Sequence, residues 1–474
     1  MTEFGRNLLE KIKHGRCEVL GLGVSNLPLC RFLVENGAKN VYGRDRKSEE
    51  SFLQAANELK EMGVTLLTGN DYLEGIGGEE PENTFIFRSP GIKPSLQQIR
   101  EAVERGAVLS SEMEMFLELT CCENIIGVTG SDGKTTTTTL IGKLLEEQIK
   151  LDKSSRRVFV GGNIGEPLLP RLDEIGKDDF VVVELSSFQL MTMRRSVGRA
   201  VVTNLTPNHL DWHPNMDEYR DAKANLFMHE PCRHLTVNAE DATTRLFGES
   251  FGGSVTFFSS ERKPEGKAVF LRDDSIVFSD DCGEEILLDV SSIIIPGMYN
   301  VQNYMAAISA TRPFVSKEAI RNVAESFVGV EHRCEFVREK DGVRYYNSSI
   351  DSSPTRTAAA LSVFDNRVVV ICGGYDKNIP FEPLALTLCK RAKTVVLTGA
   401  TATKIREAIL SCPNYRPELF DILERSDFTE AVIAASGAAE KGDAVVLSPA
   451  CASFGTFENF IERGRRFKEI INNL

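Results

Sequence analysis

The sequence predicts a three-domain α/β protein, with a Rossmann-like domain at each end and a central P-loop ATPase-type domain on a parallel or mixed sheet. Three observations support this fold class. The 474 residues correspond to about three domains of roughly 150 residues each. Short β-branched runs alternate with amphipathic stretches, which is typical of βαβ units. Glycine-rich turns follow several apolar runs, where parallel sheets bind ligands.

Composition and charge narrow the function classes. Of the residues, 42% are hydrophobic and 26% are charged, which is typical of a globular enzyme. The 55 Lys and Arg against 68 Asp and Glu leave a net charge of −13, which argues against nucleic acid or an anionic membrane as a partner. No apolar run reaches the roughly 18 residues of a membrane span and no signal-peptide pattern is present, so we expect a cytoplasmic protein. The 11 Cys contain no Cys-x-x-Cys pair, and we expect them to be reduced.

The first segment, residues 1–120, is predicted to be a parallel sheet with crossover helices. Its apolar runs are CEVL, NVYGRD, VTLL, TFIF and AVLS. The first run ends in Gly-Leu-Gly-Val-Ser-Asn, but the dinucleotide fingerprint has glycine where Asn26 stands, and Asp45 closes the second run. Glycine in a strand-to-helix turn admits any diphosphate to the helix N-terminus. A nicotinamide dinucleotide, another nucleotide and an unliganded turn therefore all remain open.

The second segment, residues 121–330, begins with a strand, a glycine loop and a helix. Gly130, Gly133, Lys134 and Thr135 follow the apolar run IIGV and precede a helical stretch. Backbone N–H groups of such a loop bind phosphates, the lysine neutralises the terminal phosphates, and the threonine hydroxyl binds Mg²⁺. The loop departs from the general form because Val128 stands where the first glycine is usual. We interpret it as a phosphate loop.

Further polar side chains end the strands of this segment. Glu184 closes the run FVVVE and His209 follows VVTNLTPN, so both are expected at the sheet edge of the phosphate loop. Lys223 lies in a helical stretch. His209 and His213 have a spacing that zinc uses on helices, but Pro214 follows directly and a glutamate after the first histidine is missing. We therefore predict that His213 is a hydrogen-bonded loop residue.

The third segment, residues 331–474, again alternates strands and helices. Its runs VRYYN, RVVVICGG, KTVVLTG and AVVLSP indicate a third α/β unit. Two motifs lie at strand ends, Gly-Gly-Tyr-Asp-Lys at 373–377 and Ser-Pro-Ala-Cys-Ala-Ser at 448–453. Because long linkers are missing between the segments, we expect short hinges near residues 120 and 330.

In the order TGSDGKT, GGNIG, ELSSFQL, TNLTPNHLDWH, YRDAKANLF, GMYNVQN, HRCE, GGYDKNIPF and SPACASF, the chain resembles the Mur ligases of peptidoglycan synthesis over essentially its whole length. The segments ELSSFQL and SPACASF resemble the corresponding segments of the family members that add D-glutamate. The resemblance implies that ATP phosphorylates the carboxylate of UDP-N-acetylmuramoyl-L-alanine and that the amine of D-glutamate attacks the acyl phosphate. ADP and phosphate then leave. It also implies a cytoplasmic monomer that closes its domains around three small-molecule substrates.

The resemblance implies ATP and two Mg²⁺ ions as cofactors, with Lys134, Glu184, His209 and Lys223 as catalytic residues. Thr135 and Glu184 would hold one ion, and Glu184 with His209 the second, assisted by Lys223 as a carbamylated lysine. The implied ATP contacts are Gly130, Ser131, Asp132, Gly133, Lys134, Thr135, Thr136, Asn300, Asn303, Arg333 and Asp351. The implied UDP-substrate contacts are Val24, Ser25, Asp45, Arg46, Ser89, Gly91, Asn163, Ser186 and Gln189. The implied D-glutamate contacts are Ser352, Lys377, Ser453, Phe454 and Phe460.

The chain departs from the family pattern at four positions. Ser348 and Ile350 stand where the family has an acid and a lysine, and Asp351 is a candidate to replace the acid. Tyr299 stands at a usual histidine, and Gly455 at a usual acid. These departures concern the loops for ATP and D-glutamate rather than the phosphate loop.

Three alternatives remain. A sibling Mur ligase or a folylpolyglutamate synthase would share the phosphate loop, but the folate enzymes begin near that loop, whereas here a whole βαβ segment precedes it. A dinucleotide-dependent oxidoreductase would explain the first glycine loop but would leave Glu184 and His209 without a role. A non-catalytic nucleotide switch would not require the metal-ligand set or a third domain with its own strand-end motifs.

Overall fold

The computed structural model describes residues 3–207, 209, 212–364, 366–376 and 379–474. Within these residues three sheets form, with helices packed against them, which confirms the predicted α/β class. The chain divides into two compact units, residues 1–289 with 302–323 and residues 290–301 with 324–474. The first unit holds two of the sheets and the second unit holds the third. In the described part of the chain, every helix is too short or too polar to cross a membrane.

The first sheet is parallel throughout and has the strand order β3-β2-β1-β4-β5. Its strands are β1 (Arg16–Leu20), β2 (Asn40–Asp45), β3 (Thr65–Thr68), β4 (Thr84–Arg88) and β5 (Val108–Ser110). Its helices are α1 (Glu3–His14), α2 (Asn26–Glu35), α3 (Leu53–Glu61), α4 (Gln97–Glu104) and α5 (Glu112–Leu119). Leu20 is in register with both Arg44 and Arg88. The glycine loop after β1, Asp45 and Ser89 therefore lie at one edge of the sheet, as expected for parallel strands.

The central sheet has the order β14-β13-β12-β11-β10-β9-β6-β8-β7. The pairs among β6 to β12 are parallel, and β12, β13 and β14 pair antiparallel. Its strands are β6 (Asn124–Thr129), β7 (Val158–Gly162), β8 (Phe180–Glu184), β9 (Arg199–Val202), β10 (His234–Asn238), β11 (Ser254–Ser259), β12 (Ala268–Arg272), β13 (Ser275–Asp280) and β14 (Gly283–Asp289). Its helices are α6 (Lys134–Leu151), α7 (Ser187–Leu190), α8 (Met216–Ala224), α9 (Ala242–Ser250), α10 (Met298–Thr311) and α11 (Lys317–Ala324).

The third sheet has the order β15-β16-β20-β17-β18-β19, and only its β15–β16 pair is antiparallel. Its strands are β15 (Glu335–Lys340), β16 (Val343–Asn347), β17 (Val368–Gly373), β18 (Ala392–Thr398), β19 (Asp421–Glu424) and β20 (Ala444–Leu447). Its helices are α12 (Pro354–Leu361), α13 (Glu382–Arg391), α14 (Ala402–Leu410), α15 (Phe428–Gly437) and α16 (Phe460–Asn473). Leu447 is in register with Asn347 and Ile371, so the loops after these three strands share one edge.

Apolar side chains cover both faces of the central strands, which is why these strands appear in the sequence as continuous apolar runs. Val128, Val182 and Val201 are fully buried. The cysteines behave as predicted, since all eleven are free thiols and seven of them are buried. Polar chemistry is therefore concentrated at the carboxyl edges of the sheets.

Candidate active site

The phosphate loop joins β6 to α6 and has a backbone that requires glycine. Gly130 and Gly133 have φ angles of 149° and 78°, which side chains rarely adopt. A Cβ on Gly130 would lie 1.9 Å from Thr203 Oγ1. The loop ends at the N-terminus of an 18-residue helix, where free N–H groups and the helix dipole favour a phosphate group.

The loop is held in place by residues that follow β9. Ser131 Oγ donates to Thr206 O at 2.8 Å, and Thr203 Oγ1 donates to Asp132 O at 2.6 Å. Asp132 N donates to Asn204 Oδ1 at 2.9 Å. Sequence reasoning did not assign these roles to Thr203 and Asn204, although both belong to a motif that we noted. Their signal is their position at the end of a strand next to β6.

Two lysines meet at one carbonyl of this loop. Lys134 Nζ donates to Gly130 O at 2.9 Å and to Ser131 O at 2.8 Å. Lys223 Nζ donates to the same Gly130 O at 2.8 Å and to Thr129 Oγ1 at 3.3 Å. The Lys223 side chain is only 1% exposed. Burial, and then the charge of Lys134, lower the pKa of Lys223 well below its usual value.

Glu184 ends β8 with Val128 of β6 as its register partner. Its carboxylate is 1% exposed, and Oε1 accepts a hydrogen bond from Asn163 Nδ2 at 3.0 Å. Oε2 is buried without a hydrogen-bond partner among the described residues. Because a buried carboxylate oxygen without a donor is costly, this atom fits a cation as its partner.

The donor set around the loop suits Mg²⁺ rather than a softer metal. A carboxylate and the half-buried Thr135 hydroxyl are hard oxygen ligands. In the part of the chain that the structure describes, groups of three or more His, Cys, Asp or Glu side chains that could hold a metal are absent. An incomplete protein cage is typical of Mg²⁺ sites that take their remaining ligands from water and substrate phosphates.

The two histidines after β9 have different environments. His209 is exposed, has a φ of 55°, and its ring centroid lies 4.9 Å from that of Phe188. His213 is buried and hydrogen-bonds through Nδ1 with Glu218 at 3.0 Å and through Nε2 with Ser187 at 2.9 Å. His213 is thus a hydrogen-bonded loop residue, as predicted.

The glycine loop of the first sheet lies beside two of the residues expected with it. Asp45 Oδ2 accepts from Leu22 N at 2.7 Å, and a Cβ on Gly21 would lie 2.8 Å from Ser89 Cβ. Val24 is 79% exposed at the tip of the loop. Ser25 and Gly91 are part of these two loops, and Arg46 is exposed next to Asp45.

Three further residues expected at the UDP substrate lie close to Glu184. Asn163 contacts the Glu184 carboxylate, as described above. Ser186 and Gln189 form a capping box at the start of α7, in which Gln189 N donates to Ser186 Oγ at 3.3 Å and Ser186 N donates to Gln189 Oε1 at 3.0 Å. The box fixes the backbone of the ELSSFQL segment immediately after the Glu184 strand.

The two asparagines of α10 fall in different compact units. Asn303 lies against the phosphate loop, because a Cβ on Gly133 would be 2.4 Å from Asn303 Oδ1 and Thr137 Oγ1 donates to that oxygen at 3.2 Å. Asn300 belongs to the second unit, where its Nδ2 donates to Pro296 O at 2.7 Å. Thr136 is half-buried in the first turn of α6.

The loop after β16 shows how the chain accommodates its departures. Ser348 is fully buried and its Oγ accepts from Cys334 N at 3.1 Å. Asp351 is also buried and accepts from Ser448 Oγ at 2.8 Å. Burial raises the pKa of Asp351 to about 6, although nearby Arg333 opposes the shift. Asp351, three residues after Ser348, thus places a buried carboxyl group in the same loop, where Asp351 N donates to Ser348 O at 3.0 Å.

The remaining third-sheet residues lie around the β20 loop. Ser453 is buried, Ser352 is half-buried, and exposed Phe454 lies with its ring centroid 6.0 Å from that of Tyr375. Phe460 O accepts from Ser349 Oγ at 2.8 Å.

Lys377 lies outside the described residues. Gly455 has a φ of 88° with open space around it, so a glycine suits this position better than the usual acid. At the fourth departure, the Tyr299 ring lies against Gly297.

Sequence reasoning missed two buried arginines, Arg88 and Arg463. Arg88 is the last residue of β4, and Arg463 lies in α16. Each donates hydrogen bonds to backbone carbonyl oxygens of loops or segments that follow strands. Arginine is usually exposed, so the sequence carries no signal for this placement.

Comparisons with known proteins agree with this geometry. Residues 128–311 match the model of the Mur ligase middle domain, and residues 332–451 match the model described as Mur ligase, glutamate ligase domain. The UDP-N-acetylmuramoylalanine–D-glutamate ligase of Ruminiclostridium cellulolyticum is 44% identical over 466 residues, 98% of this chain and 97% of that protein. The ligase of the same name from Clostridium botulinum is 44% identical over an alignment of 475 residues that covers 100% of each chain.

Solved structures show the same fold at low sequence identity. A UDP-N-acetylmuramoyl-L-alanyl-D-glutamate–2,6-diaminopimelate ligase is similar with a TM-score of 0.56 and 18% identity, covering 82% of this chain and 92% of that one. The structure of E. coli FolC in complex with ADP is similar with a TM-score of 0.52 and 16% identity, covering 76% of this chain and 92% of that one.

Proposed function

The chain belongs to the Mur ligase family, and from that premise we propose how its residues divide the work of the reaction. It joins D-glutamate to UDP-N-acetylmuramoyl-L-alanine with hydrolysis of ATP in peptidoglycan synthesis, the reaction for which its relatives are named. The observation that carries the assignment of chemistry is the pairing of the phosphate loop with buried Glu184 on neighbouring strands. This arrangement places an anion-binding loop and a metal-binding carboxylate at one sheet edge.

The chemical difficulty is that a substrate carboxylate must attack a γ-phosphate, so that two negative groups approach one another. We propose that the loop N–H groups bind the phosphates and that Lys134 leaves the carbonyl groups of Gly130 and Ser131 to neutralise them. The acyl phosphate that forms is then attacked by the amine of D-glutamate, and ADP and phosphate leave. Positioning and charge neutralisation supply most of the catalysis in such a transfer.

ATP and Mg²⁺ are the cofactors of this family. We propose two Mg²⁺ sites, one held by Thr135 and Glu184 and the second by Glu184 and His209, with Lys223 assisting. When bound, Mg²⁺ offsets the charge of the phosphate oxygens and orients them. The orphaned Oε2 of Glu184 supports this proposal.

We propose that Lys223 works as a carbamate. An ammonium group next to a metal ion would be repulsive, whereas addition of CO₂ to the neutral amine gives a carboxylate-like group and releases one proton. Only the neutral amine reacts, and the lowered pKa of buried Lys223 favours that form. On forming the carbamate, Lys223 would give up its hydrogen bond to Gly130 O and offer carboxylate oxygens to the metal site. The Tyr219 ring centroid lies 4.7 Å from Nζ.

The substrates are assigned to three segments: 1–120 for the UDP moiety, 121–330 for ATP and Mg²⁺, and 331–474 for D-glutamate. The open glycine loop with Asp45 and Ser89 supports the first assignment. The buried loops around Asp351 and Ser453 support the third. We further propose that the enzyme is cytoplasmic, since its family uses nucleotide substrates of the cytoplasm. We also propose that it is a monomer, as the resemblance to the family implies.

The test is phosphate release by the purified protein with ATP, Mg²⁺ and UDP-N-acetylmuramoyl-L-alanine. D-glutamate is compared with L-glutamate, L-alanine and a diamino acid. We expect release with D-glutamate alone. Release with a different amino acid would overturn the substrate assignment. Failure with all four would overturn the proposed function and point to Ser348 and Ile350 as the disabling substitutions.

A further inference from the structure

Arg88, the last residue of β4, organises the loop that follows it. Its side chain is 1% exposed. Nη1 donates to three carbonyl oxygens of this loop, those of Ser89 at 3.2 Å, Pro90 at 3.3 Å and Ile92 at 2.7 Å. The loop carries two of the residues assigned above to the UDP substrate. Arg88 therefore fixes the backbone of a proposed substrate-binding loop from beneath.

The same guanidinium reaches the central sheet. Nη2 donates to Phe188 O at 2.5 Å and to Thr192 Oγ1 at 3.3 Å. Phe188 lies in α7, four residues after Glu184, and its ring also contacts His209. One side chain thus joins the substrate loop of the first sheet to the segment that follows the metal-binding strand of the central sheet.

The charge of Arg88 lacks a carboxylate partner in the part of the chain that the structure describes, since all five of its acceptors are neutral. Its Nε is buried without a hydrogen-bond partner there. Burial lowers the pKa of Arg88 to about 10, so the group is charged at neutral pH. A buried charge without a counter-charge is costly.

Arg44 on β2, the strand on the other side of β1 from β4, shows how a buried arginine is usually paired. It is equally buried, at 1% exposed, but its Nε donates to Glu18 Oε2 at 2.5 Å and it forms an ion pair there. The two arginines are each in register with Leu20. Since the fold supplies a carboxylate to one of them, the missing counter-charge at Arg88 points to an anion that arrives with a ligand.

We propose that Arg88 is a positioning residue for the UDP substrate: its charge favours the diphosphate at the Ser89–Gly91 loop, and its second nitrogen places the Phe188–Thr192 segment. The inference rests on the proposed function, which assigns this loop to the UDP substrate, whose anionic group is a diphosphate. A nucleotide diphosphate suits the site better than a single carboxylate, since its two negative groups extend over several loop residues. Binding in the first sheet then sets the backbone beside the catalytic edge.

The test compares Arg88→Met, which removes the charge, with Arg88→Lys, which keeps it but loses the forked geometry. We measure KM and kcat for each of the three substrates, and binding of UDP-N-acetylmuramoyl-L-alanine without ATP. We expect Arg88→Met to raise KM for the UDP substrate about tenfold or more, with less than about twofold change in KM for ATP and D-glutamate. For Arg88→Lys we expect a KM for the UDP substrate close to that of the wild type but a lower kcat.

Arg44→Lys is the matched control, because it changes an equally buried arginine that does not contact the central sheet segment. We expect it to alter the thermal midpoint while the three KM values stay near those of the wild type. If Arg88→Met does not fold, Thr192→Val removes one acceptor without changing the charge and is expected to raise only KM for the UDP substrate, by about twofold to fivefold.

Two outcomes overturn the inference. One is an unchanged KM for the UDP substrate in Arg88→Met, or in Thr192→Val if the first variant does not fold. The other is an equal rise of all three KM values, which indicates a role in folding only. Wild-type turnover with D-glutamate is measured first, because its absence would overturn the proposed function itself, whereas wild-type turnover with either outcome above overturns only the role of Arg88.

Discussion

Lys223 Nζ and Gly130 O lie 2.8 Å apart, so a buried lysine of α8 contacts the first carbonyl of the phosphate loop. If this lysine works as a carbamate, removal of CO₂ and bicarbonate lowers kcat of the wild-type enzyme, and bicarbonate restores it. Lys223→Arg keeps a long nitrogen-bearing side chain but cannot form the carbamate, and we expect it to lose about 100-fold in kcat. The measurement is phosphate release in degassed buffer against bicarbonate concentration. Full activity of Lys223→Arg would contradict the proposal.

Glu184→Gln is expected to lower kcat by about 100-fold and to raise the Mg²⁺ concentration at half-maximal activity. The amide keeps the shape of the side chain but removes the charge that its buried Oε2 offers to a cation. Asn163→Ala, which removes only the hydrogen bond to Oε1, serves as the graded control and should cost about tenfold. An unaltered Mg²⁺ titration curve for Glu184→Gln would exclude the carboxylate as a ligand.

Ser348→Asp restores the acid that the family usually has, yet we expect it to reduce activity and the thermal midpoint. Asp351 already occupies the neighbouring buried space, and two buried carboxylates in contact repel one another. The double variant Ser348→Asp with Asp351→Ser moves the acid back along the chain and should recover activity relative to the single variant. A double-mutant cycle measures the coupling, and additive effects would show that the two positions are independent.

Glu112→Gln is expected to change how stability depends on pH. Glu112 is buried in α5, where Oε1 accepts from Leu169 N at 3.4 Å, and burial raises its pKa to about 7. The folded protein therefore binds a proton more tightly than the unfolded chain, so this contribution to stability is present below pH 4.5 and is lost as pH rises through about 7. Above pH 7 the variant should unfold at a higher temperature than the wild type, by an amount that corresponds to about 3 kcal/mol.

The control for Glu112 is Glu82→Gln, which changes an exposed carboxylate and should leave the pH profile unaltered. Thermal midpoints are recorded between pH 5 and pH 8.5 by circular dichroism. Glu118, whose pKa is also raised to about 7 by burial, retains its share of the pH dependence in the variant. Parallel profiles for the wild type and Glu112→Gln would show that Glu112 does not titrate in this range.

Arg463→Lys is expected to raise KM for D-glutamate about tenfold while KM for the UDP substrate stays constant. Buried Arg463 donates to Ser349 Oγ at 3.0 Å, Ser349 O at 2.8 Å and Cys451 O at 3.1 Å. It thus joins the β16 loop to the β20 loop, and a lysine cannot make all three contacts. Steady-state kinetics with each substrate varied in turn provide the measurement, and a rise in KM for the UDP substrate instead would refute the assignment of these loops.

Local patterns predicted the strand, glycine loop and helix around Lys134 and the strand end at Glu184. Apolar runs and glycine turns are local patterns, so they can be recognised in the sequence without knowledge of the three-dimensional structure. The antiparallel strands β13 and β14 were not predicted, because acidic residues such as Asp280 and Glu284 interrupt their apolar pattern. The bounds of the three predicted domains stay a prediction.

The contacts of Arg88 could not be predicted for a different reason. Its acceptor Phe188 O stands one hundred positions further along the chain, and nothing in a run such as TFIFRSPG indicates that a carbonyl group from another sheet will approach. The burial of Lys223 is comparable, since its partner Gly130 O comes from a distant strand end. The resemblance to a family marked Lys223, but only the packing shows why the pKa of its amine is lowered.

The backbone of the phosphate loop is held by hydrogen bonds from the protein's own side chains. Thr203, Asn204 and Ser131 make these side-chain hydrogen bonds, and such contacts reduce the conformational entropy that a loop loses when it binds a ligand. The side chain that must move is Lys134, which exchanges two carbonyl oxygens for phosphate oxygens. The affinity of this enzyme for ATP should therefore depend mainly on how much more strongly the Lys134 ammonium group binds phosphate oxygens than the carbonyl oxygens of Gly130 and Ser131.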